Sequence, residues 1–269
     1  FTGGGELDNG LNVALSFVLD QGDGVAAATA PFDSHSITIS SDALGSIVIA
    51  GEGAGNAQSA LDTTAAGDIW DNGFKHAARR TASYTAMQGS DASGSSINYT
   101  LPSMVDDLSV SASYSPGGAA VESTSAFGLT YTGVEGLSVS YGSGETNTVG
   151  SEQDHDTMKA SYAIGSFTVG MSSTSSNYEL ASSIDETVNS WQVAYTISDD
   201  MSVTYGVDTI ETEGQTIDEE ISGLGISYTT GGVTITANKF EASGQGNSNT
   251  EASTTGDQER WTLGASFAF

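Results

Sequence analysis

Three of the six basic side chains in this 269-residue sequence, Lys75, Arg79 and Arg80, fall inside one connector at 52–93. The same stretch carries Glu52, Asp62, Asp68, Asp71 and Asp91, while the rest of the chain holds 29 acids and three bases. Mixed charge across a confined aqueous opening makes a transverse field that aligns polar solutes and sorts ions by sign. The same bases can instead neutralise nearby carboxylates and pin the connector. The residue types fit lining and pinning equally well. If the stretch is extended, Arg79 and Arg80 point to opposite faces, so only one of them reaches the opening.

Other chemistry has little to stand on. There is no cysteine, which removes disulfides and thiolate metal sites, and His35, His76 and His155 are far apart. No GxSxG, HExxH or P-loop spacing occurs, so the sequence gives no reason to expect an enzyme or a required cofactor. Acidic groups at Asp106-Asp107, Asp154/Asp156, Asp199-Asp200 and Asp218-Glu219-Glu220 lack EF-hand spacing and read first as solvated turns and loops. Ca²⁺ or Mg²⁺ bridging of acidic loops is the one metal role they allow. A formal net charge of -28 excludes nucleic acid as a partner.

The elements that must position these residues are strands. Leu11, Val13, Leu15, Phe17 and Leu19 alternate with smaller or more polar neighbours. So do Leu137, Val139 and Tyr141, then Met158, Ala160, Tyr162 and Ile164, then Met201, Val203, Tyr205 and Val207. Period-two patterning of this kind gives each strand one apolar and one polar face. Short turns at 8–10, 42–45, 102–107, 133–136, 164–166, 198–200 and 229–232 take turns with long connectors. The long ones run over 21–34, 52–93, 115–123, 142–156, 173–187, 209–218 and 242–257. Strict alternation of tight and elaborated ends is the plan of an up-and-down transmembrane barrel. No apolar run is long enough for a membrane helix, but a barrel strand needs none.

The faces support the same plan. The polar face is built from Ser, Thr, Gly and Asn, which suits water, and the apolar face suits lipid. Tyr131, Tyr162, Tyr195 and Tyr228 sit on the apolar parity two or three residues before a short turn, which predicts an aromatic girdle at the membrane boundary. Lys159 and Arg260 fall on the polar parity and are candidates for a basic lumen wall, whereas Lys239 falls on the apolar parity, as a snorkelling rim residue would.

The last strand alternates Trp261, Leu263, Ala265, Phe267 and Phe269, and its closing phenylalanine resembles the C-terminal signature of outer-membrane barrels. That resemblance implies that Trp261, Leu263, Phe267 and Phe269 are read by the assembly machinery. Three further stretches resemble the general porins of alphaproteobacteria: GELDNGL from Gly5 leading into 13–17, SITISSDALGSIVIAG at 36–51 followed by 53–61, and SINYTLPSMVDDLSVSASY at 96–114. The family resemblance implies sixteen strands, a homotrimer, and a third outer loop that folds inward to narrow the pore. That loop is 52–93 here, so Glu52, Asp62, Asp68, Asp71, Lys75, Arg79 and Arg80 become constriction candidates.

The expectation is therefore an all-β, antiparallel up-and-down transmembrane barrel of sixteen strands. About fourteen are present in this chain, as one domain over 1–269, with the first strands not included in it, the other reading being a smaller barrel of fourteen strands. It would lie in the bacterial outer membrane among lipids and pass small polar solutes and ions, cations preferentially. The alternatives are a barrel adhesin in the same membrane and a secreted acidic calcium-binding β-protein.

Overall fold

A computed structural model describes residues 1–19, 32–52, 56–61, 64–65, 95–117, 121–148, 151–179, 185–214, 216–244 and 257–267. The alternating segments become fifteen strands: β1 (Thr2–Glu6), β2 (Asn12–Leu19), β3 (Phe32–Ser41), β4 (Gly45–Glu52), β5 (Ser96–Thr100), β6 (Leu108–Ser115), β7 (Val121–Val134) and β8 (Leu137–Thr148). Then follow β9 (Ser151–Ile164), β10 (Phe167–Tyr178), β11 (Glu186–Ser198), β12 (Met201–Thr212), β13 (Glu219–Thr230), β14 (Val233–Ser243) and β15 (Gln258–Phe267). They form one sheet in strict chain order, and every neighbour whose register is defined is antiparallel. Each strand from β2 to β14 thus pairs with the one before and the one after it, an up-and-down meander.

Two results differ from the sequence expectation. One strand more than the expected fourteen is present, because Thr2–Glu6 pairs with Asn12–Ser16. Its three central glycines have no side chains, so it shows no alternation to read. The outer ends of the long connectors are also strand: β8 and β9 run to Thr148 and from Ser151, leaving little of the 142–156 connector as loop. Both faces are polar there (Glu145, Thr146, Asn147, Glu152, Asp154), so the period-two signal fades while backbone pairing continues.

The short turns fall where the sequence places them, and backbone geometry explains one glycine in particular. Gly136 has φ +76, and a Cβ there would run into the carbonyl of Ala163. That close approach lets the Gly136 carbonyl accept the Ala163 N–H at 2.8 Å.

Burial is inverted relative to a water-soluble protein. Ile47, Ile49, Ile97, Leu224, Ile226 and Ile235 are all exposed on one face. On the opposite face Ser113, Thr124, Thr157, Ser172, Thr174 and Ser190 are buried. In water the apolar face would far exceed the few hundred Å² that soluble monomers leave open. Lipid is the solvent that fits it.

The chain divides into two compact units, Phe1–Leu61 with Gly89–Gly133 and Ser140–Asp156, and Asp62–Gln88 with Val134–Val139 and Thr157–Phe269.

Candidate functional site

The 52–93 connector leaves β4 and, in the first unit, forms one capped turn on the polar face of the sheet. Asn56 starts it: its side-chain oxygen accepts the N–H groups of Gln58 (3.0 Å) and Ser59 (2.8 Å). Its carbonyl accepts the Ala60 N–H at 2.9 Å, and the Asn56 N–H donates to the Ser59 hydroxyl. Asparagine is suited to this because its short amide mimics a backbone turn. The turn satisfies several of its own polar groups, which helps Asn56, Ala57 and Gln58 to be buried.

The turn is fixed to the wall by specific groups. The Ala57 N–H donates to the Ser113 hydroxyl of β6 at 2.9 Å. The Ala57 carbonyl oxygen lies over Gly128 of β7, 2.6 Å from where a Cβ would stand. Gln58 and Leu61 lie over Gly142 of β8 in the same way. The connector's return is tied as well: Ser115 donates its hydroxyl to the Ser95 carbonyl at 2.6 Å, and Ser95 donates to the Gly51 carbonyl. In the second unit the pattern repeats on a smaller scale. Ala65 is buried, its N–H donates to Ser190 of β11 at 2.9 Å, and its carbonyl rests against Gly170 of β10.

Of the charged residues expected to narrow an opening, Asp62, Asp68, Asp71, Lys75, Arg79 and Arg80 lie outside the described residues. Glu52 closes β4, its Cα paired with His35 at a register shift. Lys159 is half-buried on the polar parity of β9, which it shares with buried His155 and Thr157. Arg260 is exposed and pairs with Phe240 across β14–β15, again on the polar face. Lys239 stands on the other face, 2.5 Å from Glu241 and 3.6 Å from Glu259, with its ammonium over the Trp261 ring.

The second unit also holds buried acids on the polar face. Sequence reasoning does not single out Asp208. Glu219, expected with Asp218 and Glu220 to be a solvated charge, is instead buried because it opens β13 and pairs with Ile210. Asp208 and Glu219 are wholly buried, beside Val188, Ile210, Ile221, Phe240 and Ala242. Cross-strand pairing makes them one patch: Val188 faces Ile210, Asp208 faces Ile221, Ile210 faces Glu219 and Ile221 faces Ala242. Parity alone places Asp208 and Ile210 on that face, but nothing in the sequence signals their burial. Asp208 and Glu219 must have partners for their charge, since an isolated buried carboxylate costs several kcal/mol.

Tyr131, Tyr162, Tyr195 and Tyr228 are all exposed on the apolar face near the short turns, and Tyr195 stacks on Phe167 at 4.5 Å. Tyr114, Trp191 and Trp261 are also exposed on the apolar parity of their strands, farther from those turns, and of these the sequence reading named only Trp261. Trp261, Leu263 and Phe267 of β15 are exposed, and Phe269 lies outside the described residues. Shallow hollows lined by Glu220, Glu241, Asp257 and Glu259, and by Asp185, Glu186, Glu211, Glu213 and Asp218, collect acids. Among the described residues no group of three acidic or histidine side chains is placed to hold a metal ion.

The arrangement has known counterparts. A family model described as Gram-negative porin matches residues 1–204. A porin structure refined at 1.8 Å superposes with a TM-score of 0.64 at 19% identity, covering 100% of this chain and 90% of that one. The anion-selective porin from Comamonas acidovorans gives 0.62 at 16% identity, covering 90% and 77%. The trimer form of OmpT, an outer-membrane protein of Vibrio cholerae, gives 0.59 at 17% identity, covering 95% and 85%. No curated protein matches the chain by sequence.

Proposed function

The chain belongs to the Gram-negative porin family, whose place is the bacterial outer membrane, and from that premise we propose that it is a passive diffusion pore for small hydrophilic solutes and ions, assembled as a homotrimer and preferring cations. The observation that carries this reading is the capped turn of 56–61, buried against the polar face and bonded to Ser113. A connector that begins by turning onto the water-facing wall is suited to narrow a pore. Its charged residues, Glu52, Asp62, Asp68, Asp71, Lys75, Arg79 and Arg80, are proposed to set the constriction's field, with Lys159 and Arg260 as basic groups on the wall.

The sign of selectivity comes from the charge inventory. The Comamonas acidovorans porin is anion-selective on a similar fold, so the fold leaves the sign open. Thirty-four acids against six bases favour cations here. The trimeric form of OmpT supports the assembly. Ca²⁺ or Mg²⁺ bridging the acidic outer hairpins belongs to the same proposal, and chelation should then lower the temperature at which the oligomer dissociates.

Planar-bilayer recording tests the function. Stepwise conductance is expected, with a reversal potential under a KCl gradient that reports cation preference. Removing Arg79 and Arg80 together should increase that preference. An anion-selective reversal potential, or no conductance from folded protein, would sink the reading.

A further inference from the structure

We infer that Ser113, Gly128 and Gly142 in the first unit, and Ser190 in the second, are positioning residues that hold the start of the connector flat on the wall and thereby set how much of the pore stays open. The inference rests on the reading of 52–93 as the pore-narrowing connector.

Two kinds of group do this. Ser113 and Ser190 each offer a hydroxyl to a buried backbone N–H, those of Ala57 and Ala65, both at 2.9 Å. Within a sheet the strand carbonyls are used by the ladder, so a side-chain oxygen is the acceptor the wall can spare. Without it a buried N–H would go unpaired, at a cost of roughly 1–3 kcal/mol. Each serine therefore fixes where the connector's backbone lies.

The glycines fix how close it lies. A Cβ on Gly128 would stand 2.6 Å from the Ala57 carbonyl oxygen, and one on Gly142 would stand 2.6 Å from Leu61 Cδ1 and 3.3 Å from Gln58 Cα. Both are inside van der Waals contact. Over Gly128 the obstacle is backbone, so any side chain lifts the turn off the wall. Over Gly142 the nearest atom is the movable end of Leu61 and the backbone neighbour is Gln58 Cα, so a bulky side chain is needed to lift it. Neither has a positive φ among the special backbone positions, so the need for glycine is one of space. Gly170 differs. A Cβ there would stand 3.4 Å from the Ala65 carbonyl oxygen, an ordinary contact, and 3.2 Å from the flexible end of Gln192. Three glycines on the polar face thus have graded clearance, and the grading makes the inference testable.

The chain has no cysteine, so an introduced pair can be read without background. Leu61→Cys with Gly142→Cys should form a disulfide under mild oxidation in the folded, membrane-inserted protein. Gly142→Leu should then lower single-channel conductance to about half, whereas Ser227→Leu, on the polar face lined by Ser202, Thr204 and Asn238, should lower it by no more than about a fifth. Should Gly142→Leu not fold, Gly128→Ala against Gly170→Ala decides: the first reduces conductance and the second leaves it at the wild-type value. The inference is overturned if the cysteine pair stays reduced, if Gly142→Leu and Ser227→Leu conduct alike, or if the two alanine variants do. A wild-type protein that folds but never conducts would instead remove the pore reading itself.

Discussion

Lys239 shows how one residue's parity decides its role. It shares its strand's apolar face with Ile235, stands over Trp261 and lies between Glu241 and Glu259. Its stem lies on an apolar surface and its ammonium meets carboxylates at the edge, as a snorkelling lysine does. Substituting Lys239→Met should leave conductance and reversal potential at wild-type values. Lys159→Ala and Arg260→Ala remove positive charge from the polar face and should shift the reversal potential toward greater cation preference. A selectivity change in Lys239→Met would place that side chain on the wrong face. Gly136 makes a prediction of another kind. Its positive φ costs an L-residue about 1 kcal/mol or more, and its Cβ would meet the Ala163 carbonyl. Gly136→Ala should therefore lower the temperature at which the folded form is lost on heating, with no change in the conductance of what remains folded.

Among the elements, the β8–β9 hairpin is longer than lipid requires. A membrane strand needs about 9–11 residues, whereas β9 has 14 and its outer end is polar on both faces. Tyr141 donates to Asp156 at 2.9 Å near the place where the apolar parity ends. Deleting 145–152 removes paired backbone from both strands together and leaves that contact in place, so the shortened protein should still fold into a heat-modifiable form. Failure to fold would mean that the extension contributes to the sheet's stability. The same hairpin shows what the sequence makes legible. Side-chain alternation locates a strand only where its two faces meet different solvents, as in Met158 to Ile164. Where both sides are wet, as at Glu152 to Asp154, pairing goes on without a signal. In β1 the signal is lost for a different reason, since Gly3, Gly4 and Gly5 carry nothing that could alternate. The site is less legible still. Charge composition marks the connector, but Ser113, Gly128 and Gly142 are ordinary residues whose importance comes from what folds over them.

For the molecule as a whole, charge is the property with the longest reach. A net charge of -28 generates a field whose influence on ions in the pore depends on screening. The Debye length falls from about 10 Å at 0.1 M salt to about 3 Å at 1 M. Cation preference should accordingly be strong in dilute KCl and decline as the salt is raised, while single-channel conductance rises with ion supply. A preference that is flat across that range would place its origin in a few close contacts.

The alternation of side chains also bears on how such a chain reaches its membrane. A segment becomes lodged in a bilayer as a helix when about 20 consecutive residues are predominantly apolar. Here every apolar side chain is followed by Ser, Thr, Gly, Asn or another small or polar residue through most of each strand, and the mean hydropathy is -0.15. Coiled into a helix, such a segment would spread its polar groups around the whole circumference and would partition poorly into hydrocarbon. The apolar surface that lipid requires exists only after neighbouring strands have paired. During export the polypeptide can therefore cross the inner membrane without being retained there, and it becomes a membrane protein only on folding.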